Sequence, residues 1–235
     1  MSDFDLRHER TKAMIGSDAL QKLKDAHVTV FGVGGVGCYC IEALARAGIG
    51  SLTLIDGDVF SVSNLNRQLY SLKSNIGCFK AEEAKKRIFE IDESIKVRAV
   101  NEFAAPENVP ELLTPHPDFV VDAIDDVKAK LAIAKFCFDN GIQEVSSMGT
   151  GNKLLYKNFE IADISKTEYD PLAKAMRKKL RDMGVNKLKV CFSRETLVTE
   201  PVAGIIPSIS FVPAIGGLTI AGEVIRCITK REAPK

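Results

Sequence analysis

The chain has 235 residues, a formal net charge of +1 from 32 Lys+Arg and 31 Asp+Glu, and 46% hydrophobic residues. A disordered chain would carry fewer apolar residues and a larger charge imbalance, and a uniformly basic nucleic-acid binder would not sit this near neutrality. The length suits one large α/β unit whose core needs no disulfide or metal staple.

The N-terminal run MSDFDLRHERTKAMIG is charged and lacks the apolar stretch of a secretory signal. VTVFG (28–32) is a short β-branched strand pattern with glycines behind it, and CYCIEALARAG (38–48) reads as a helix that Gly48 ends. LTLID (52–56) is a second buried strand. KAEEAKKRIFEID (80–92) reads as a helix, with Glu82 and Glu83 near its positive end. VRAV (97–100), DFVVDAI (118–124) and QEVSS (143–147) read as further strands, with a helix over 127–141 between the last two. Strands alternating with helices predict right-handed βαβ units. The expected fold is a Rossmann-like, doubly wound, mainly parallel sheet with helices on both faces and an irregular C-terminal extension. One domain is expected over 1–235, with a nucleotide-binding core at about 1–150 and a substrate-binding and crossover region at about 151–235.

Asp170 and Pro171 read as N-cap and first residue of a later helix, and Gly184 as its stop. Leu172, Met176, Leu180 and Met183 form an apolar stripe on it; Lys174, Arg177, Lys178 and Arg181 form a basic one. Residues 174–194 hold eight basic side chains and one acidic, net +7, which leaves 24 basic against 30 acidic elsewhere. So one-sided a stripe favours a polyanion such as RNA over a merely solvated face. From Gly204 to Gly222 no residue is charged, a run close to membrane-spanning length. Pro207, Pro213 and glycines interrupt it and Glu223 follows at once, so it reads as a buried strand or loop followed by a packed helix, with no membrane expected. The six cysteines form no C-x-x-C pair and the three histidines are scattered, which argues against a Cys/His metal site. Free thiols suit a reducing cytoplasm.

Gly32-Val33-Gly34-Gly35-Val36-Gly37 follows a strand, opens a helix and fits G-x-G-x-x-G. Glycines there let the backbone approach a phosphate, and the helix start offers free N–H groups. Asp56 ends the next strand, 19 residues beyond Gly37, where a carboxylate meets a ribose hydroxyl. The default ligand of such a loop is NAD. The polar run Asp56-Gly57-Asp58 through Ser63-Asn64-Leu65-Asn66-Arg67-Gln68 and on to Lys80 has no task in hydride transfer. Arg67 offers a planar fork for phosphate oxygens and Lys80 a compact cation. Asp125 lies at the carboxyl end of the VVDAID strand, where a carboxylate can share Mg²⁺ with phosphates. Together these suit a triphosphate that must be split.

On G-x-G-G-x-G (32–37), L-x-D-x-D (54–58), S-N-x-x-R-Q (63–68), G-x-x-K (77–80) and D-A-I-D (122–125), the sequence resembles the ubiquitin-activating-enzyme-like adenylyltransferases. The resemblance implies that Asp56 binds the ATP ribose, that Asn64, Arg67 and Lys80 are nucleotide contacts, and that Asp125 is linked to the metal. It implies that Asp58 and Gln68 belong to the same site. It also implies an N-terminal arginine, here Arg10, that reaches the ATP phosphates, often from the partner subunit of a homodimer. Many members have Asn where this chain has Asp126. The molybdopterin- and thiamine-pathway members carry zinc-binding C-x-x-C pairs, which this chain lacks. DISKTEYDPLAKAMRKKLRDMGV (163–185) and KVCFSRETLV (189–198) resemble the tRNA threonylcarbamoyladenosine dehydratase branch. That branch activates the carboxylate of the threonylcarbamoyl group on a tRNA adenosine with ATP and closes it to a ring. Some of its members have a cysteine before the last helix; this chain has Ser208 and Ser210, and no cysteine is assigned a catalytic role. The implied protein is an ATP- and Mg²⁺-dependent, ligase-type enzyme acting on tRNA through Arg10, Arg67, Lys80 and Asp125. Its alternatives are an adenylyltransferase for the C-terminus of a small ubiquitin-like sulfur-carrier protein, and a nucleotide- or NAD-binding module.

Overall fold

The computed structural model describes residues 3–200 and 204–230; residues 1–2, 201–203 and 231–235 lie outside the description. Short runs of branched and apolar side chains supply the strands β1 (His27–Phe31), β2 (Ser51–Ile55), β3 (Lys96–Val100), β4 (Phe119–Asp122), β5 (Gln143–Ser147), β6 (Phe159–Asp163) and β7 (Lys189–Ser193). They form a single sheet in the order β3-β2-β1-β4-β5-β7-β6, parallel throughout except for β6, which runs antiparallel to β7. The predicted strand and helix bounds hold to within two residues. The C-terminal region is more regular than expected, because β6 and β7 extend the same sheet. Their alternation is short and mixed with charge, which hid β6 in the sequence.

Three short N-terminal helices, α1 (Asp3–Arg7), α2 (Glu9–Ile15) and α3 (Ser17–Asp25), precede β1. The connections carry α4 (Gly37–Ala47), α5 (Lys80–Ile91), α6 (Val109–Leu112), α7 (Val127–Asn140), α8 (Pro171–Asp182) and α9 (Phe211–Thr229). Successive strand residues face opposite sides, so Val28, Val30 and Val121 join α3, α4, α5 and α9 in one core. Phe31, Val120 and Ile133 join α6 and α7 in another, and α8 seals a third against Val190 and Phe192. Both faces of the sheet are therefore covered, as a parallel sheet requires.

α9 is long and apolar enough to cross a membrane by length and composition. It lies instead against α4, α3 and β5–β7, with Glu223 buried and paired to Lys189 at 2.5 Å. A Cβ on Gly217 would stand 2.2 Å from the Val36 carbonyl oxygen, so α9 and α4 approach at a distance only glycine allows. The segment before α9 departs from the buried run expected of it: Ile205 and Ile206 are 63% and 75% exposed.

Candidate functional site

The site forms where strand order reverses, between β1 and β4, at the carboxyl ends of the strands. The chain leaves β1 through Gly32, whose φ of +89° suits glycine alone and whose absent Cβ would lie 2.7 Å from the Ala123 carbonyl oxygen. Gly34, Gly35 and Gly37 continue the turn into α4, whose first N–H groups have no partner within the helix. Asp56 holds the loop in place. One carboxylate oxygen accepts from the Val33 N–H at 2.7 Å and the other from the Asp58 N–H at 2.9 Å. Burial raises the Asp56 carboxyl above its usual range despite these amides.

Lys80, the first residue of α5, is buried and donates to Asp58 at 2.5 Å. Burial acts to raise the Asp58 carboxyl, but the bond and charge of Lys80 outweigh it and hold it low. Asn64 accepts from the Ser61 N–H at 3.0 Å and so caps the turn that presents Arg67. The Arg67 side chain lies beside Gly35 and donates to the Ser63 carbonyl at 2.8 Å. Gln68 is buried with its Nε2 near Gly34, and its Oε1 has no hydrogen-bond partner among the described residues. Pro213 of α9 packs against the same side of Gly35. Asp125 is exposed beyond β4, with no hydrogen bond or ion pair among the described residues. Asp126 accepts from the Ala129 N–H at 2.8 Å and caps α7.

The structure thus brings together Gly32, Gly34, Gly35, Gly37, Asp56, Asp58, Asn64, Arg67, Gln68 and Lys80, with Asp125 on the adjoining strand end. Arg10 is not brought to the glycine loop of its own chain. Arg7 pairs with Asp92, which ends α5, and the His8 ring lies against Gly48, which ends α4. The other ends of both helices form the site, and the 11 residues of α4 put about 16 Å between.

The basic helix differs from the expected stripes. Ala173, Met176 and Leu180 form its buried face, while Met183 is exposed. Arg177 borders that face, and its Nη1 donates to the Ile164 carbonyl at 3.2 Å and to the Thr167 carbonyl at 2.8 Å, so it secures a turn. Lys189 pairs with Glu223, and Arg194 with Glu160 and Glu168. The exposed cations outside these ion pairs are Lys174, Lys178, Lys179, Arg181 and Lys187. Cys191 is buried on β7, and burial pushes its thiol to about 12, which removes it as a nucleophile.

Sequence reasoning found the Asp170 cap but missed its second bond, and missed a buried ion pair altogether. Asp170 caps α8 through the Ala173 N–H and also accepts from the Gly149 N–H at 3.0 Å, so it ties the strand end after β5 to the basic helix. Asp122 and Lys130 form a fully buried ion pair under α7 at 2.9 Å. A lysine at a core register of an apolar helix, facing an acid that ends an apolar strand, was the available signal.

A glycine loop at the switch point, with an acid ending the next strand and two cations beside it, defines a Rossmann-like protein. A model of the ThiF family matches residues 7–235. The tRNA threonylcarbamoyladenosine dehydratase of Bacillus subtilis is 38% identical over 238 residues, 94% of each chain. The crystal structures of the Escherichia coli tRNA N6-threonylcarbamoyladenosine dehydratase with AMP and with ATP match at TM-scores of 0.93 and 0.92, at 36% identity over 97% of this chain and 96% of that one. The molybdopterin-synthase adenylyltransferase of Escherichia coli is 30% identical over 220 residues, 93% of this chain and 84% of the relative. The chain belongs to the ThiF family, on the branch of the tRNA threonylcarbamoyladenosine dehydratases.

Proposed function

We propose that this protein dehydrates threonylcarbamoyladenosine in tRNA at the expense of ATP, through an adenylated carboxylate. The observation that carries the reading is the cluster of Lys80, Asp58 and Arg67 around the glycine loop. A carboxylate does not lose oxide, whereas an acyl-adenylate loses AMP readily. The substrate carboxylate attacks the α-phosphate in line and displaces pyrophosphate. A neighbouring group of the threonylcarbamoyl moiety then attacks the acyl carbon and expels AMP, so the nucleoside loses one water in net. No protein nucleophile is needed for an intramolecular closure.

In this reading Asp56 meets the ribose, and the N–H groups from Gly34 to Gly37 meet phosphate oxygens. Asn64 and Gln68 shape and line the pocket. Lys80 and Arg67 offset the charge that builds on the phosphates during displacement, and Lys80 exchanges Asp58 for the nucleotide. Asp125 fits Mg²⁺, because it is an exposed carboxylate at the strand edge with no ion pair among the described residues. When bound there, Mg²⁺ would neutralise phosphate charge alongside the two cations.

The position of Arg10 supports a homodimer in which each arginine serves the partner's phosphates. α8 supports the tRNA contact: it starts beside Gly149 at the site and leads away from it. Lys174, Lys178 and Arg181 line the route, about 10 Å from first to last. Arg177 serves by holding the turn beneath. The division of labour then falls at about residue 150, with nucleotide contacts before it and substrate contacts after. ATP and tRNA place the reaction in the cytoplasm.

The likeness to a molybdopterin-synthase adenylyltransferase supports one other acceptor, the C-terminus of a small sulfur-carrier protein. Incubation with ATP and total tRNA, followed by mass analysis of the nucleosides, decides between them. Loss of one water from the modified adenosine is the expected result. Unchanged nucleosides, with pyrophosphate exchange stimulated by a Gly-Gly-tailed carrier protein, would replace this reading by the second.

A further inference from the structure

Beneath α7 the fold buries charges that packing alone does not require. Asp122, the last residue of β4, and Lys130, the fourth residue of α7, are both 0% exposed. Withdrawing two ions from water is unfavourable by several kcal/mol each, and a buried pair persists only when its remaining protons and lone pairs are also satisfied. A methionine and an uncharged neighbour would fill the same volume.

The partners of the pair show where its effect is directed. Ser146 Oγ donates to Asp122 Oδ2 at 2.7 Å and fixes the carboxylate from β5. The Ile124 N–H donates to Asp122 Oδ1 at 3.3 Å, and Lys130 Nζ donates to the Ile124 carbonyl at 3.1 Å. Both backbone polar groups of Ile124 therefore end on the buried pair. That carbonyl belongs to the peptide joining Ile124 to Asp125. On its other side, Ala123 donates to the Phe31 carbonyl and roofs Gly32. The segment carrying Asp125 is thus pinned to the glycine loop at one end and to Lys130 at the other.

We propose that Lys130, acting with Asp122 and Ser146, is a positioning residue that orients the Ile124–Asp125 peptide and so aims the Asp125 carboxylate at a cation shared with the nucleotide phosphates. The proposal rests on the nucleotide reading given above for Asp125. Lys130 touches neither nucleotide nor substrate, and its effect passes through the backbone.

The test is the charge-neutral double variant Asp122→Asn/Lys130→Met, which nearly keeps both volumes and removes the Lys130 bond to the Ile124 carbonyl. Calorimetry measures ATP affinity in EDTA and in MgCl₂, beside kcat and the KM for tRNA. The expected variant melts within a few degrees of the parent and binds metal-free ATP within threefold. The gain in ATP affinity that Mg²⁺ confers falls at least tenfold, kcat falls by a similar factor, and the KM for tRNA is unchanged. A merely structural pair would not separate metal-free from Mg²⁺-linked binding. A folded variant whose Mg²⁺-linked gain and kcat both stay within twofold of the parent overturns the proposal. If the double variant does not fold, Ser146→Ala decides, because it removes a single bond to Asp122. A threefold or greater loss of the Mg²⁺-linked gain supports the proposal, and an unchanged gain overturns it. A parent that binds no ATP in either buffer overturns the nucleotide reading itself.

Discussion

Lys80 and Asp58 meet at 2.5 Å across the mouth of the glycine loop, with the lysine buried and the aspartate half exposed. This asymmetry suits an exchange of partners. The cation is fixed by the start of α5, and in the proposed reading the carboxylate swings into water as phosphate oxygens take its place. Lys80→Met should therefore lower kcat/KM for ATP by about 10²-fold, close to 3 kcal/mol of lost charge stabilisation. Arg67→Ala should act similarly, since its side chain lies beside Gly35. Asp58→Asn should have a smaller effect. Pyrophosphate release under saturating tRNA measures all three, and a Lys80→Met enzyme with parental kcat/KM would remove this residue from the site.

Arg10 sits at the wrong end of α4 to serve its own loop. In a homodimer with arginines exchanged, Arg10→Ala and Arg67→Ala should each cut activity to about a hundredth of the parent. Each mixed dimer nevertheless holds one site with both arginines intact. Random mixing of the two impaired chains should then restore about a quarter of parental activity, because half the dimers are mixed and each has one working site. Mixtures no more active than the separate variants would place Arg10 in cis or outside the reaction.

The basic helix divides into residues that hold the fold and residues that face solvent. Lys174→Glu/Lys178→Glu should raise the KM for tRNA about tenfold, flatten its salt dependence and leave ATP affinity unchanged. Arg177→Ala should instead destabilise the protein by about 2 kcal/mol, because it leaves the Ile164 and Thr167 carbonyls without their charged donor. Filter binding and thermal melts separate the two effects. Equal losses of tRNA affinity in both variants would refute the division.

Much of this was legible in the sequence, for identifiable reasons. The strand–glycine–helix pattern and Asp56 are local signals, since their spacing follows from one βαβ unit. The cations Arg67 and Lys80 gain meaning only as an ordered set. Arg177 was misread because helical periodicity gives a face but not its edge, and an arginine at that edge can turn back to the backbone. Arg10 could not be placed, because a contact with the far end of α4 is long-range. The Asp122–Lys130 pair was missed because it joins two elements whose patterns, taken one at a time, read as apolar core.

The anchor of α9 gives the fold a dependence on pH. Burial acts to raise the Glu223 carboxyl, but hydrogen bonds from Arg226 and Lys189 outweigh it and hold it down at about 2. The folded value therefore lies below the unfolded value of about 4.3. The stabilisation is complete above that value and is lost as the pH falls towards the folded one, since the unfolded chain takes up the proton first. Glu223→Gln should lower the melting temperature at pH 7 by about 5 °C, for a contribution of order 2 kcal/mol in a chain of this size. The gap between parent and variant should narrow as the pH falls from about 5 to 3. Melting curves across that range test it, and a gap that stays constant would mean that the carboxylate's charge does not secure α9 to β7.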